Sequence, residues 1–418
     1  MAVMAMNAPL ALVAQTVPYQ GKYVVDGKVQ EKQYRSRAAL ESTAQNQSSV
    51  LVSNAGQLEL IWMRIHKTAG GRTGNVSETP GLNASVLAVG SSQLTLDNCT
   101  VSSHSGNSDV IAVVGNGSSA SITKGTFQSS RSYSPVFSSF EGGKIMVDQS
   151  NAMSEDSQSP LVYSIGDGST VLVNGVKGHT GGIVSPVFRG SGTIFANDCR
   201  ISSLASNYVI IEESGDISIA DCELLEAVDG AILARNTQGV PSDKPSRLDI
   251  QASKINVKKG DLISAVNCNS EIVLQKNNIS IPKGGAFIRA YDDAFGEKGK
   301  NGGHVKVTLN KQAVIGNVYV NSISSAVIEL GKGSTLKGAV NPEGKGGRVE
   351  IYLAKGAVWA SDSKSDITVI RFEQPVEKGV KQIKSKGDIS YDPRDPANAP
   401  LGGREFKLAG GGFLRPVK

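Results

Sequence analysis

The sequence predicts an all-β fold: a single-stranded right-handed parallel β-helix (solenoid) of about twelve coils, with an N-terminal cap and an extended C-terminal tail. Three observations predict it. The 418 residues include 47 Gly and only 5% aromatic residues. Short β-branched runs alternate with Gly, Asn, Ser and Asp clusters, which reads as many short strands and tight turns. One strand pattern returns at a nearly constant interval, and Ser-Pro followed by two apolar residues returns in step with it at 134–137, 159–162 and 185–188.

Residues 1–47 read as an arm and a capping segment. The start, MAVMAMNAPLALVAQ, is apolar but lacks a basic n-region and an A-x-A site, so it is a poor signal peptide. It reads as a remnant of one or as a plain apolar arm. A solenoid end leaves unpaired strand edges that invite aggregation. RSRAALESTAQ (35–45) is predicted to be a helix that covers them.

Residues 48–375 read as the solenoid. Each copy has an apolar anchor on a strand, a short polar corner and a second apolar residue five positions after the anchor, as in QLTLDNCTV, SASITKGTF and DISIADCEL. The anchors are Leu60, Leu96, Ile122, Val147, Val173, Ala196, Ile219, Ile250, Leu274, Leu309, Leu330 and Leu353. Most gaps are 21–26 residues. The three longer ones hold the insertions HKTAGGRTGNVSETPG, RNTQGVPSDKPSR and YDDAFGEKGKNGG. A second apolar run lies upstream of each anchor, as in SPVFSSFEGG. Two or three strands per coil are too few for a propeller blade of about 40–45 residues. The strand types recur in the same order, which excludes hairpins. Coils stacked at about 4.8 Å would share one core that no single coil could bury. Ser-Pro then begins the same strand in consecutive coils, where a missing N–H is tolerated, with one of the two following apolar residues inward and the other outward. Residues 376–418 are rich in Pro and Gly and read as an irregular tail.

Net charge is +5, too small to imply nucleic acid. Its distribution is uneven. Residues 1–240 carry 15 Lys+Arg against 20 Asp+Glu, and residues 241–418 carry 28 against 18. No run of 18 apolar residues exists, so no transmembrane helix is expected. Cys99, Cys199, Cys222 and Cys268 lack C-x-x-C spacing, which argues against zinc. Cys99, Cys199 and Cys222 share one coil position. They read as an inward stack of thiols, with a Cys199–Cys222 disulfide as the alternative. Cys268 reads as a turn residue and the freer thiol.

These repeats resemble the right-handed parallel β-helix, pectate-lyase-like superfamily over roughly residues 48–375. PGLNASVLAVGSSQLTLDNCTVSS, the GDGSTVLV turns and GSTLKGAV are similar to uncharacterised secreted bacterial β-helix proteins and to adhesin-like passenger regions. The resemblance implies an extracellular or cell-surface location. It implies no single activity, because the superfamily hosts lyases, hydrolases, adhesins and inert stalks.

No stretch matches the superfamily's catalytic motifs, and no metal or cofactor is expected. His66, His104, His179 and His304 read as separate loop or turn histidines. Glu212, Glu213, Asp216, Asp221, Glu223, Glu226 and Asp229 read as an acidic band, with a Ca²⁺ site as the alternative. Two outward columns are candidate ligand-binding sites. Lys276, Lys311, Lys332 and Lys355 all stand two residues after their anchors and form a basic ladder that suits an acidic polymer or simply keeps a strand-rich rod soluble. Tyr163, Arg189 and Arg289 form an aromatic and guanidinium strip that suits a glycan, with Glu212 and Arg235 slipped by one residue. Three functions fit: a non-catalytic structural or adhesive protein binding a polysaccharide or acidic surface polymer, a subunit assembling end to end, or a polysaccharide lyase or hydrolase.

Overall fold

A computed structural model describes residues 18–34, 39–69 and 79–417. The chain is a parallel β-solenoid of about fifteen turns. Its three main faces are a 12-stranded, a 14-stranded and a 10-stranded sheet, and in each the neighbours are successive coils. On the 14-stranded sheet Gln93–Asp97, Ser119–Thr123, Lys144–Asp148, Thr170–Asn174 and Thr193–Asn197 pair in parallel and in register. Strand alternation does the rest. All twelve anchors are buried, and with the residues two positions before them they form one continuous apolar core.

The sheet has two strands beyond the twelve anchored ones. The first, Gln30–Tyr34, points Glu31 and Gln33 into the slots that Leu58 and Leu60 fill one coil later. Both meet the Tyr23 hydroxyl, which donates to Glu31 at 2.5 Å and accepts from Gln33 at 3.1 Å. Among the described residues this polar plug, and no helix, stands at that end of the core. Of the segment expected to be helical, Arg35–Ala38 lie outside the described residues. Leu40–Ser42 is a strand paired with Arg64–Lys67, with Ser42 buried. The last strand of the sheet, Val369–Phe372, is covered by the 3-10 helix Pro396–Leu401. Asn398 accepts from the Ile370 N–H and donates to the Thr368 carbonyl. Within the expected tail, Ile383–Ser385 and Ile389–Tyr391 continue the parallel ladders. The antiparallel pair Phe406–Lys407 and Phe413–Pro416 then ends them.

One rule governs the corners. After the 14-stranded sheet, Asn98, Lys124, Gln149, Gly175, Asp198, Asp221, Ala252, Lys276 and Lys311 all take left-handed φ between 47° and 63°. The next residue turns its N–H along the solenoid axis, and where the same position one coil later carries an acceptor, that side chain takes it; Cys99 and Ser150 face Gly125 and Val176, which carry none. Cys199 donates to Cys222 Sγ (3.3 Å), Cys222 to Ser253 Oγ (3.0 Å), Ser253 to Asn277 Oδ1 (2.9 Å) and Asn277 to Gln312 Oε1 (2.7 Å). A buried N–H left without a partner would cost about 1–3 kcal/mol. The same device explains Ser-Pro. Asn107, Tyr133, Gln158 and Val184 are left-handed. Ser108 donates to Ser134 Oγ, Ser134 to Ser159 Oγ and Ser159 to Ser185 Oγ, at 2.9–3.2 Å. Ser-Pro therefore forms the corner just before the strand, not its first residues, and both following apolar residues, Val136 and Phe137, are buried.

The end of the first insertion, Pro80 and Gly81, meets the outside of the 12-stranded sheet; its residues 70–78 lie outside the described residues. Ala84 packs there with Leu51, Leu87 and Ala112, and Tyr19 joins them, its hydroxyl donating to the Pro80 carbonyl. Gly81 lies so close that a Cβ would stand 2.8 Å from that of Ala112, and its φ is +68°.

Candidate binding face

The outer side of the 14-stranded sheet carries three outward columns, set by the alternation that buries the anchors. The column just before the anchors reads Thr95, Ser121, Met146, Leu172, Phe195, Ser218 and Asp249. Most of these are polar, as solvent-facing strand positions usually are. Met146, Leu172 and Phe195 are not, and they remain 58%, 37% and 45% exposed. They line a shallow groove of about 570 Å³.

The column just after the anchors walls one side of that stripe. Asn197 Nδ2 donates to Asn174 Oδ1 (2.9 Å), Asn174 Nδ2 to Asp148 Oδ1 (2.6 Å) and Thr123 Oγ1 to Asp97 Oδ1 (2.8 Å). The amide chain thus runs one way, towards Asp148. On the other flank the outward column places Lys144, Thr170 and Thr193 on the same three rungs. An apolar stripe flanked on one side by fixed amides and on the other by two hydroxyls and the Lys144 ammonium can bury the CH face of a flat ligand while bonding its polar edge. Asp249 closes the far end, where the desolvating groove raises its carboxyl above the ordinary range. This site was not singled out from the sequence. The signal was available: KIMVD, TVLVN and TIFAN carry Met, Leu and Phe where neighbouring copies carry Thr, Ser or Asp.

The expected lysine column is only partly in register. Lys276 and Lys311 occupy the left-handed corner slot, but the last two corners are one residue longer and place Gly333 and Gly356 at positive φ instead. Lys332 and Lys355 therefore precede the glycine rather than continue the column. All four are exposed, and among the described residues none forms an ion pair.

Tyr163, Arg189 and Arg289 do share one column of the 12-stranded sheet, but Ile210, Leu233 and Ser264 separate the arginines. Glu212 and Arg235 fall outside it. Both guanidinium groups are committed. Arg189 binds Glu212 through Nε and Nη2 (3.3 and 2.9 Å) and lies 5.7 Å from the Tyr163 ring centre. Burial alone would lower its pKa, and Glu212 more than offsets that, so the guanidinium is held firmly charged. Arg289 is bonded to Asp261 at 2.6 Å and lies over Tyr319.

His66, His179 and His304 lie on strands rather than in turns. His66, His104 and His304 each meet a serine of the next coil at 2.8–2.9 Å, and burial lowers the pKa of His66 and His304. The acidic band disperses, with Glu212 on Arg189 and Glu223 on Arg200. Among the described residues no three His, Cys, Asp or Glu side chains come together as a metal site. All four cysteines are buried free thiols. Cys268 opens the strand Cys268–Gln275, and burial raises its thiol to about 11. Among the described residues no helix is long and apolar enough to cross a membrane.

Lys67 is fully buried at the N-terminal end. Its column partners are Ser42 and Ser103. Nζ donates to the Ala44 carbonyl and lies 3.5 Å from Ser42 Oγ. Desolvation lowers this amine to about 8.

No protein-family model matches this chain, and no curated protein matches it.

Proposed function

We propose that this chain is a secreted or cell-surface β-solenoid without catalytic activity, with an adhesive or structural role, that binds an extended polysaccharide along one outer face. One observation carries the reading: the Met146, Leu172 and Phe195 stripe beside the Asp148, Asn174 and Asn197 ladder in a single groove. Rungs at about 4.8 Å suit a linear chain lying along the solenoid axis. The repeats' likeness to right-handed, pectate-lyase-like and adhesin-like proteins supports the location and the role.

The enzyme reading has less behind it. The groove's carboxylates, Asp148 and Asp249, are four rungs apart, about 19 Å at the usual spacing. Paired carboxylates of glycosidases stand about 5–9.5 Å apart. The end-to-end filament draws on the acidic first half and basic second half of the chain. Against it stand the polar plug of Glu31, Gln33 and Tyr23 and the antiparallel pair at the other end.

Affinity electrophoresis through gels carrying soluble polysaccharides tests the reading. The wild type is retarded by at least one polymer, and Leu172→Ser/Phe195→Ser runs freely. Equal retardation of both proteins would place binding elsewhere.

A further inference from the structure

The groove's charge narrows the ligand class. Its lining includes Asp148 beside Met146 at one end and Asp249 beyond Phe195 and Ser218 at the other; the cations nearest in the strand pattern, Lys144 and Arg247, stand outside the lining on the flanking column of those two rungs, and Arg247 is paired with Glu271. Asp148 is bonded to a neutral amide rather than to a cation. Neither aspartate forms an ion pair among the described residues. Two carboxylates without an ion-pair partner, lining the ends of an apolar stripe, favour a ligand that brings positive charge into the groove itself. The amide chain adds to this. Asn197 and Asn174 each spend an N–H within it, and Asn197 Oδ1 has no hydrogen-bond partner among the described residues. That end of the ladder therefore presents an acceptor.

Resting on the proposed polysaccharide reading, we infer that the groove takes an amino-sugar polymer with free ammonium groups, its sugar faces on Leu172 and Phe195 and its ammoniums at Asp148 and Asp249. This ligand class differs from the acidic polymer expected at the lysine column, which lies further along the solenoid.

Calorimetric titration at mildly acidic pH tests it with oligomers of glucosamine, N-acetylglucosamine and galacturonic acid, and with oligolysine. The glucosamine oligomer binds tightest, and added salt weakens it. Asp148→Asn and Asp249→Asn each cost about threefold and the pair about tenfold for the glucosamine oligomer, and the acetylated oligomer loses clearly less. Phe195→Ser weakens both. If both oligomers bind equally and the asparagine pair changes neither, the inference falls while the groove reading stands on Phe195→Ser. Oligolysine binding as tightly as the glucosamine oligomer would also overturn it, in favour of a cationic peptide. If no saccharide binds, both readings fall.

Discussion

Lys67 offers the sharpest test of how the N-terminal end is built. Its ammonium is taken fully out of water, and the nearest groups offered in exchange are the Ala44 carbonyl and Ser42 Oγ. The amine falls from its ordinary 10.5 to about 8. At about 1.4 kcal/mol per pH unit this is a penalty of about 3 kcal/mol on the charged folded form. The sign follows from proton counts. Above pH 10.5 the amine is neutral in both states and the penalty vanishes. Between about 8 and 10.5 the unfolded chain binds more protons, so this group makes stability rise with pH. Below about 8 the full penalty is present. Lys67→Met keeps the straight side chain and removes the charge. Near neutral pH the variant should be more stable by about 2 kcal/mol, since it also deprives the Ala44 carbonyl of its donor. The advantage should shrink to nothing or reverse by pH 10.5. Denaturant unfolding from pH 7 to 10.5 reads this, following Trp62 near this end in a Trp359→Phe background. Nearest-neighbour coupling lets this end unfold before the rest. A difference that does not change with pH would refute the desolvation argument.

The corners give two further tests. Cys222→Ser should stay within about 1 kcal/mol of wild type, because a hydroxyl also accepts the Cys199 N–H, whereas Cys222→Ala should lose about 1–3 kcal/mol; thermal unfolding separates them. Val184 is β-branched at φ 52°, so Val184→Asn should gain about 1 kcal/mol in denaturant unfolding. On the 12-stranded face, Arg189→Ala leaves the mostly buried Glu212 without its partner and should cost about 3–5 kcal/mol. Its polysaccharide retardation should match wild type, since the strip lies off the groove.

The solenoid was legible because its signal is repetition. Each anchor obeys the same alternation, and a mistake in one coil is corrected by its neighbours. The ends were less legible because they break the repeat. Glu31 and Gln33 replace the anchor residues of a real strand, so that coil carries no apolar repeat signal. Cys199, Cys222, Ser253, Asn277 and Gln312 look unrelated as letters. They share one task, accepting a corner N–H, which shows only once the coils are stacked. The two expected columns are less regular than their spacing implies, for a different reason. Spacing counts residues from an anchor but cannot see one extra turn residue before Gly333, nor that Glu212 already holds Arg189. The groove was missed because its residues are ordinary apolar ones, informative only by facing outward on three successive rungs.

The central claim is that an extended saccharide lies on Met146, Leu172 and Phe195. Methyl NMR of protein labelled at the methionine methyls tests it most directly. Met146 is 58% exposed in the groove, Met63 is buried in the core, and Met153 faces outward on the 10-stranded sheet. Titration with a glucosamine oligomer should shift the Met146 methyl in a saturable way and leave Met63 and Met153 in place. A saturable shift at Met153 with none at Met146, or no shift at any methionine while binding is seen by calorimetry, would contradict it.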